Sequence, residues 1–475
     1  SDDEYRTLVQ WLAQGAPVPA APAPSAAARE QITRWEAFLN EPSLKQQLTS
    51  RYLYEHLFQA HIHFKGTATR EFYRLVRSST PPGEPVKEIA TLRPYDLPGN
   101  KPFFYRLWLY PASIVAKTHM VYSFSDERMA RYRELFLEPE YSVTELPSYD
   151  VAIASNPFKT FRQLPVASRY KYLLDDAHFV IEGFIKGPVC RGQIALNVIE
   201  DRFWVMFADP DADIASNSPE FLDEMSDYLE LPSKRGSTLR ILKVWRDYAE
   251  RQDVYINARH ARIINTEQDA GDLHDKGMRY IWDGDGLNPN AALTVYRHFD
   301  SASLENGFVG EYPDSAWIID YPLLERIHYL LVTGFNIYGN AGHQLLTRLY
   351  MDFLRMEGED NFLIFIPVSE RKKILDSWYV GIRREMEKTI GNTAWLEVET
   401  FDGYQTDDPQ RELYEAIIDR LGPLAGGPNF LYRCEGGTCN DPAAGEIKQQ
   451  ADSAMRTIAT FEGAKLVVFP DVALI

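Results

Sequence analysis

Residues 166–208 read VASRYKYLLDDAHFVIEGFIKGPVCRGQIALNVIEDRFWVMFA, and this stretch decides the fold class. Tyr170, Leu173, Leu174, Ala177, Ile181 and Phe184 recur at the spacing of one buried helical face, which predicts a long helix over 166–186. Gly187-Pro188 stops that helix, and Lys186 complements the carboxyl end of its dipole. Beyond the stop, residues 193–199 and 203–208 alternate or run apolar on either side of Glu200-Asp201-Arg202, the pattern of a β-hairpin. A helix with a full apolar face feeding a hairpin points to an α+β protein: a mostly helical scaffold carrying β-hairpins and short strands.

Working outward, Trp35, Phe38 and Leu39 line one face of a helix over 29–40, and Pro42 opens a second helix that runs to about Ala60. His61-Ile62-His63-Phe64 then alternates, placing both histidines on one side of an extended segment. Ser78-Ser79-Thr80-Pro81-Pro82-Gly83 is a rigid turn, and Pro94, Pro98 and Pro102 keep the next residues irregular. Downstream, 219–260 reads as helix, and 321–356 as a strongly apolar helix interrupted near Gly334 and Gly339. Short strands are expected at 362–366 and 395–400, and the last residues, KLVVFPDVALI, read as a strand cut short.

At the amino end, Ser1 and Glu4 have capping-box spacing, Asp2 and Asp3 sit in the first turn, and Gly15 fits a C-terminal cap. The helix they bound is too short to be stable without something to pack against, and Ala16–Ala28 is an extended Pro/Ala spacer. The string SDDEYRTLVQWLAQGAP resembles the closing helix of c-type cytochrome modules. The expected organisation is therefore the closing helix of a truncated cytochrome c-like module over 1–15, a linker over 16–28, and one or more further domains over 29–475, cut short at the carboxyl end.

A length of 475 residues with 45% hydrophobic content supports large cores, and no run approaches the ~20 apolar residues of a membrane-spanning helix. The net charge of −18 disfavours nucleic acid as a partner, because phosphates would repel the protein. Aromatics are abundant, with 27 Tyr, 25 Phe and 9 Trp, as suits either thick aromatic cores or grooves for a lipid. Of the three cysteines, Cys434 and Cys439 flank a short Gly-containing loop compatible with a disulfide in an oxidising compartment. Neither a second cysteine pair nor a nearby His completes a zinc site there.

Phosphate loops, dinucleotide fingerprints, His-Glu-x-x-His and Gly-x-Ser-x-Gly are all absent from the sequence, which turns the reading away from kinases and the common hydrolases. The unusual segment is Gly187-Pro188-Val189-Cys190-Arg191-Gly192, where a thiol and a cation crowd between two glycines. Helix capping accounts for Gly187 and Pro188 but not for Cys190 beside Arg191. This segment, with Tyr52-Leu-Tyr-Glu-His56, Leu75-Val-Arg77-Ser-Ser-Thr80, Arg93-Pro94-Tyr95-Asp96 and Asp320-Tyr-Pro-Leu-Leu-Glu325-Arg-Ile-His328-Tyr, resembles bacterial fatty-acid cis/trans isomerase.

The resemblance implies a periplasmic enzyme that converts cis double bonds of unsaturated acyl chains to trans in response to membrane stress. It also implies a haem c cofactor, whose Cys-x-x-Cys-His attachment motif this sequence does not contain. The substrates would be unsaturated fatty acids or phospholipid acyl chains met at a membrane surface. Rotation about an isolated C=C requires transient loss of its π bond, which side-chain acids and bases do poorly, so a redox cofactor is a reasonable requirement.

The candidate catalytic residues are Cys190, as a thiyl radical or as an inert buried thiol, and Arg191. Arg191 and Arg77 suit either an acyl carboxylate or lipid phosphate, or ordinary ion pairs. His56, His61 and His63 are the candidate haem-facing residues, with Met120 and His343 as further axial candidates. Without haem attachment this chain alone is expected to be silent. Two rivals are a lipid-binding or electron-transfer protein on the same scaffold, and a hydrolase using His61 and His63 around a metal.

Overall fold

In the computed structural model the described residues are 2–16, 23–66, 71–110, 119–186, 202–232, 241–266, 271–274, 276–297, 302–334, 341–378 and 397–426. All of these fall in one compact unit. Its amino-terminal part runs α1 (Asp2–Ala13), α2 (Ala26–Leu39), α3 (Leu44–His56), β1 (Ala60–Phe64), β2 (Tyr73–Ser78), β3 (Phe104–Leu109), β4 (Met120–Phe124), α4 (Asp126–Phe136), α5 (Val151–Ala154), α6 (Pro157–Thr160), α7 (Val166–Asp175) and α8 (Ala177–Lys186). The chain continues through β5 (Arg202–Phe207), α9 (Ile214–Asn217), α10 (Pro219–Met225), α11 (Ile241–Thr266), β6 (Gly271–Asp272), β7 (Ala292–Arg297), β8 (Ala302–Asn306) and β9 (Ala316–Ile319). Last come α12 (Tyr321–Gly334), α13 (Ala341–Leu363), α14 (Val368–Trp378), β10 (Phe401–Asp402) and α15 (Pro409–Leu421). Helices with small mixed sheets make this an α+β fold, as the sequence leads one to expect.

Two four-stranded sheets organise the helices. The first has the order β3-β2-β1-β4, antiparallel except for β1 beside β4, where His61 pairs with Val121 and His63 with Ser123. Its buried face packs on α2, with Trp35 stacked on Phe124 at 3.8 Å between ring centroids. The second sheet has the order β8-β7-β5-β9, and again one pair, β5 with β9, is parallel. Phe203–Phe207 is buried at every position because β5 is interior and covered on both faces, which explains its continuous apolar run. Over β9, helix α13 approaches closely: a Cβ added to Gly358 would lie 3.2 Å from the Trp317 side chain.

Several expectations need correction. The helix predicted over 166–186 is two helices, broken at Asp176, whose carboxylate leaves the helical path to meet the Tyr122 hydroxyl at 2.5 Å and Arg128 at 2.7 Å. Residues 193–199, the other arm of the expected hairpin, lie outside the described residues; β5 itself has both edges taken, by β7 and β9. Residues 362–366 are the end of α13 and the turn after it, since this apolar run packs as a helical terminus. The strand expected at 395–400 falls instead at Phe401–Asp402, paired with β6, while 391–396 lie outside the described residues. Helix α2 starts at Ala26, inside the expected linker, because Ser25 caps it by accepting from the Ala28 N–H and is itself anchored to Glu71. The last 49 residues, 427–475, lie outside the described residues, and with them the expected final strand.

Helix α1 forms as the capping signals suggest, yet buries none of its residues: Tyr5 is 70% exposed and Leu12 57%.

Candidate functional site

Strands β5 and β9 run side by side in the same direction, so their carboxyl ends, Phe207 and Ile319, finish together. Beyond them the chain leaves in two directions, through Asp209–Asp213 into α9 and through Asp320 into α12. A crevice beyond the carboxyl ends of parallel strands is a recurrent ligand position, because the diverging loops leave space there. Here that space is a pocket enclosing about 630 Å³, open solvent included. Its walls are chiefly hydrocarbon: Ile318 at the floor, Phe221 from α10, Ile364 and Phe365 after α13, and Phe401 from β10.

A few polar groups converge on this apolar space. Asp213 caps α9 by accepting from the Ser216 N–H at 2.8 Å, and Asp320 caps α12 by accepting from Leu323 at 3.0 Å. Arg259 on α11 reaches across to donate to Asp320 at 2.8 Å and also to Asn361, which in turn donates to the Ile318 carbonyl at 2.8 Å. Burial and the neighbouring Asp320 carboxylate push Asp213 up to about 7. Burial opposes the charge on Arg259, yet Asp320 and Glu357 together hold its pKa above the ordinary value. The result is an oily chamber with one polar flank of donors and carboxyls, suited to a long hydrocarbon bearing an oxygen function.

On the other side of α12 lies a closed polar cluster. Glu325, fully buried, accepts from the Tyr52 hydroxyl at 3.1 Å and faces His56 Nε2 at 2.7 Å. His56 Nδ1 lies 2.8 Å from the Tyr52 carbonyl. Both ring nitrogens of His56 are therefore engaged within the protein. His328 donates from Nε2 to the His56 carbonyl at 2.8 Å; burial, then His56, push it down to about 3, and it is a neutral ring. Burial raises the Glu325 carboxyl, but the pull of His56 and Arg169 carries it below its usual value. Next along α3, Glu55 takes Arg51 at 2.8 Å and the Tyr329 hydroxyl at 2.6 Å. The two sequence motifs Tyr52–His56 and Asp320–Tyr329 thus meet face to face.

Of the residues singled out from sequence, Cys190 and Arg191 lie outside the described residues, as do Cys434 and Cys439 and the side chain of His343. Arg77 is buried and spends its guanidinium on the Asp96 carbonyl at 2.8 Å and the Thr91 hydroxyl at 2.7 Å, over the Tyr54 ring; it braces the loop rather than facing a ligand. His61 on β1 accepts at Nδ1 from the Met120 N–H at 3.3 Å and lies beside His119 and Tyr110; burial, then His119, lower it to about 4. His63 is half-buried, its ring 6.2 Å from Phe72. Among the described residues no three His, Cys, Asp or Glu side chains gather to hold a metal, so the His61/His63 hydrolase gains no third ligand.

Haem fits His56 and His61 poorly. An axial histidine needs one nitrogen free for iron, while His56 has both engaged. His61 accepts at Nδ1, which leaves its proton on Nε2.

Sequence reasoning missed Asp213, Tyr255 and Arg259. Asp320 stood in a quoted motif, and the i, i+4 spacing of Tyr255 and Arg259 on a predicted helix was a usable sign that they share a face.

Compared with family models, the whole chain, residues 1–475, matches the one described as fatty acid cis/trans isomerase. No curated protein and no solved structure matches it.

Proposed function

We propose that this chain, which belongs to the fatty acid cis/trans isomerase family, uses the pocket beyond β5 and β9 to hold the unsaturated acyl chain whose double bond is turned from cis to trans. The observation that supports the pocket is its hydrocarbon lining beside a single polar flank. Ile318, Phe365 and Phe401 take the methylene chain and exclude water, while Asp320, Arg259 and Asn361, bonded to one another, keep that flank fixed.

The reading extends to membrane phospholipid acyl chains reached by peripheral contact in the periplasm, with raised trans content adjusting membrane fluidity under stress. Among the described residues no helix is long and apolar enough to cross a membrane. Haem c, where the complete protein carries it, would supply the perturbation of the π bond, and His56 and His61 are not the residues that would hold it. This chain without that group would bind acyl chains without isomerising them.

The test is the complete haem-loaded protein, wild type against Ala212→Trp, which places a large ring at the half-buried rim of the pocket. Trans acyl content is measured by gas chromatography. Wild type should raise it and the variant should fall at least about tenfold, equivalent to roughly 1.4 kcal/mol of barrier. No rise with wild type overturns the isomerase reading, and a variant as active as wild type overturns the pocket.

A further inference from the structure

The exposure of the residues that line the pocket shows where its mouth lies. Ala208, Ala212, Ile214 and Tyr280 are half-buried, while the other lining residues, Phe221 and Phe365 among them, are buried. Ala208, Ala212 and Ile214 follow directly on β5, so one lip of the mouth is the start of the segment that runs on through α9 and α10. Tyr280 forms the lip opposite.

That segment is built unlike the rest of the wall. Elsewhere the pocket is bounded by the ends of β5 and β9, by the 26-residue α11 and by the 23-residue α13 with the turn after it. Here it is bounded by α9, of 4 residues, and α10, of 7, lengths at which a helix cannot hold itself in water and depends on what it packs against. The packing is thin: Ala215, Phe221 and Leu222 are the buried side chains of the two helices, and Asp211, Asn217, Pro219, Glu220, Asp223 and Glu224 are exposed. Ser218 ends one helix and begins the other, and its hydroxyl accepts from Arg262 at 3.0 Å instead of capping α10. Anchors lie at both ends, where the Asp209 N–H donates to the Tyr280 carbonyl at 2.9 Å and the Ser226 carbonyl accepts from Asn156 at 2.8 Å. Between them α9 rests on α7, α11 and α12, and the Phe221 ring lies 6.4 Å from that of Tyr255.

We propose that residues 210–225 form a strap that swings away between these two anchors to admit an acyl chain past Ala212 and Ile214, and then closes with Phe221 against the chain. This rests on the pocket being the acyl site. Opening a thinly packed surface segment takes far less free energy than unfolding the sheet behind it. Its closure over a bound chain excludes water from the chain, and its opening sets the rate at which the chain enters.

The experiment combines hydrogen exchange and binding kinetics on the full chain, with the fluorescent polyene fatty acid cis-parinaric acid as the probe. Exchange is read by mass spectrometry for peptides covering 210–225 and for peptides covering β5 and β9. The bonded amides of the strap, such as those of Ser216, Asn217 and Leu222, should exchange at least about a hundredfold faster than those of the two strands. A saturating amount of the probe should slow the strap at least about tenfold. In stopped-flow fluorescence, Phe221→Ala should speed association of the probe at least about fivefold, whereas loss of a mere contact would change dissociation and leave association as it was. A strap that exchanges as slowly as the strands, exchange that bound probe does not slow, or an unchanged association rate overturns the proposal. Ala212→Trp separates this from failure of the underlying reading: if that variant binds the probe as wild type does, the pocket is not the acyl site at all.

Discussion

Asp320 and Glu325 belong to one short stretch, at the start and in the second turn of α12, and their surroundings differ in kind. Glu325 is fully buried beside Tyr52 and His56 of α3, and both its oxygens are engaged, one by the Tyr52 hydroxyl and one by His56. Around Asp320 the packing stops, leaving space, a neighbouring aspartate, Asp213, whose pKa is raised, and buried polar atoms of Tyr255 and Arg259 without a partner. A buried polar group that is fully answered holds elements together, whereas one left partly unanswered beside a cavity marks where something else binds. The same helix therefore supplies a staple on one side and a receptor wall on the other.

The largest effect should come from breaking the staple. Glu325→Ala leaves His56 and the Tyr52 hydroxyl buried without their acceptor and should cost about 3–5 kcal/mol in urea unfolding. A loss below about 1 kcal/mol would erase the contrast between the two sides. The linked pH dependence has a definite sign. Because the folded Glu325 carboxyl lies below its unfolded value, its contribution is present above the unfolded pKa and disappears as pH falls through the folded one.

Asp213 should behave in the opposite sense. Its folded pKa, about 7, lies above the unfolded value, so the folded state holds the proton more tightly and stability declines as pH rises from about 4 through about 7. Asp213→Asn keeps the cap on α9 but cannot ionise. The variant should flatten this decline, with its melting temperature gaining on wild type between pH 5 and pH 8. An unchanged slope would remove the charge argument from the pocket.

The finest comparison sets two tyrosines against each other. Tyr52→Phe removes a hydroxyl that donates to Glu325 and should cost about 1–2 kcal/mol. Tyr255→Phe removes one that donates to nothing and should change stability by less than about 0.5 kcal/mol. Equal losses, measured side by side by urea unfolding, would mean that the Tyr255 hydroxyl has a structural acceptor.

The helices were largely legible in the sequence, because Trp35, Phe38 and Leu39 or Tyr170, Leu173 and Leu174 repeat at helical spacing within a few turns. The sheets were much less so. Phe104–Leu109 and Ala316–Ile319 are short, and each sheet contains a parallel pair whose partners are far apart in the chain, a relation that local patterning does not encode. Asp176 breaks a helix that periodicity carries straight through, since the cause is Tyr122 and Arg128 from another element. For the candidate site, only Asp320 sat in a segment that attracted notice. Asp213 stands just before α9 and Tyr255 with Arg259 on α11, and the two elements meet at one pocket only in the folded chain.

The pairing of His56 with Glu325 also bears on how the protein is made. The two residues are 269 positions apart, so at roughly 5–20 residues per second a ribosome needs on the order of 15–50 s to supply the second after the first. Throughout that interval α3 exposes Arg51, Glu55 and His56 with no tertiary partner from α12, and the first sheet must wait for its neighbour. A gene product interrupted between residues 124 and 325 should therefore emerge as a protease-sensitive remnant and a client for chaperones, even though it already contains the whole of that sheet.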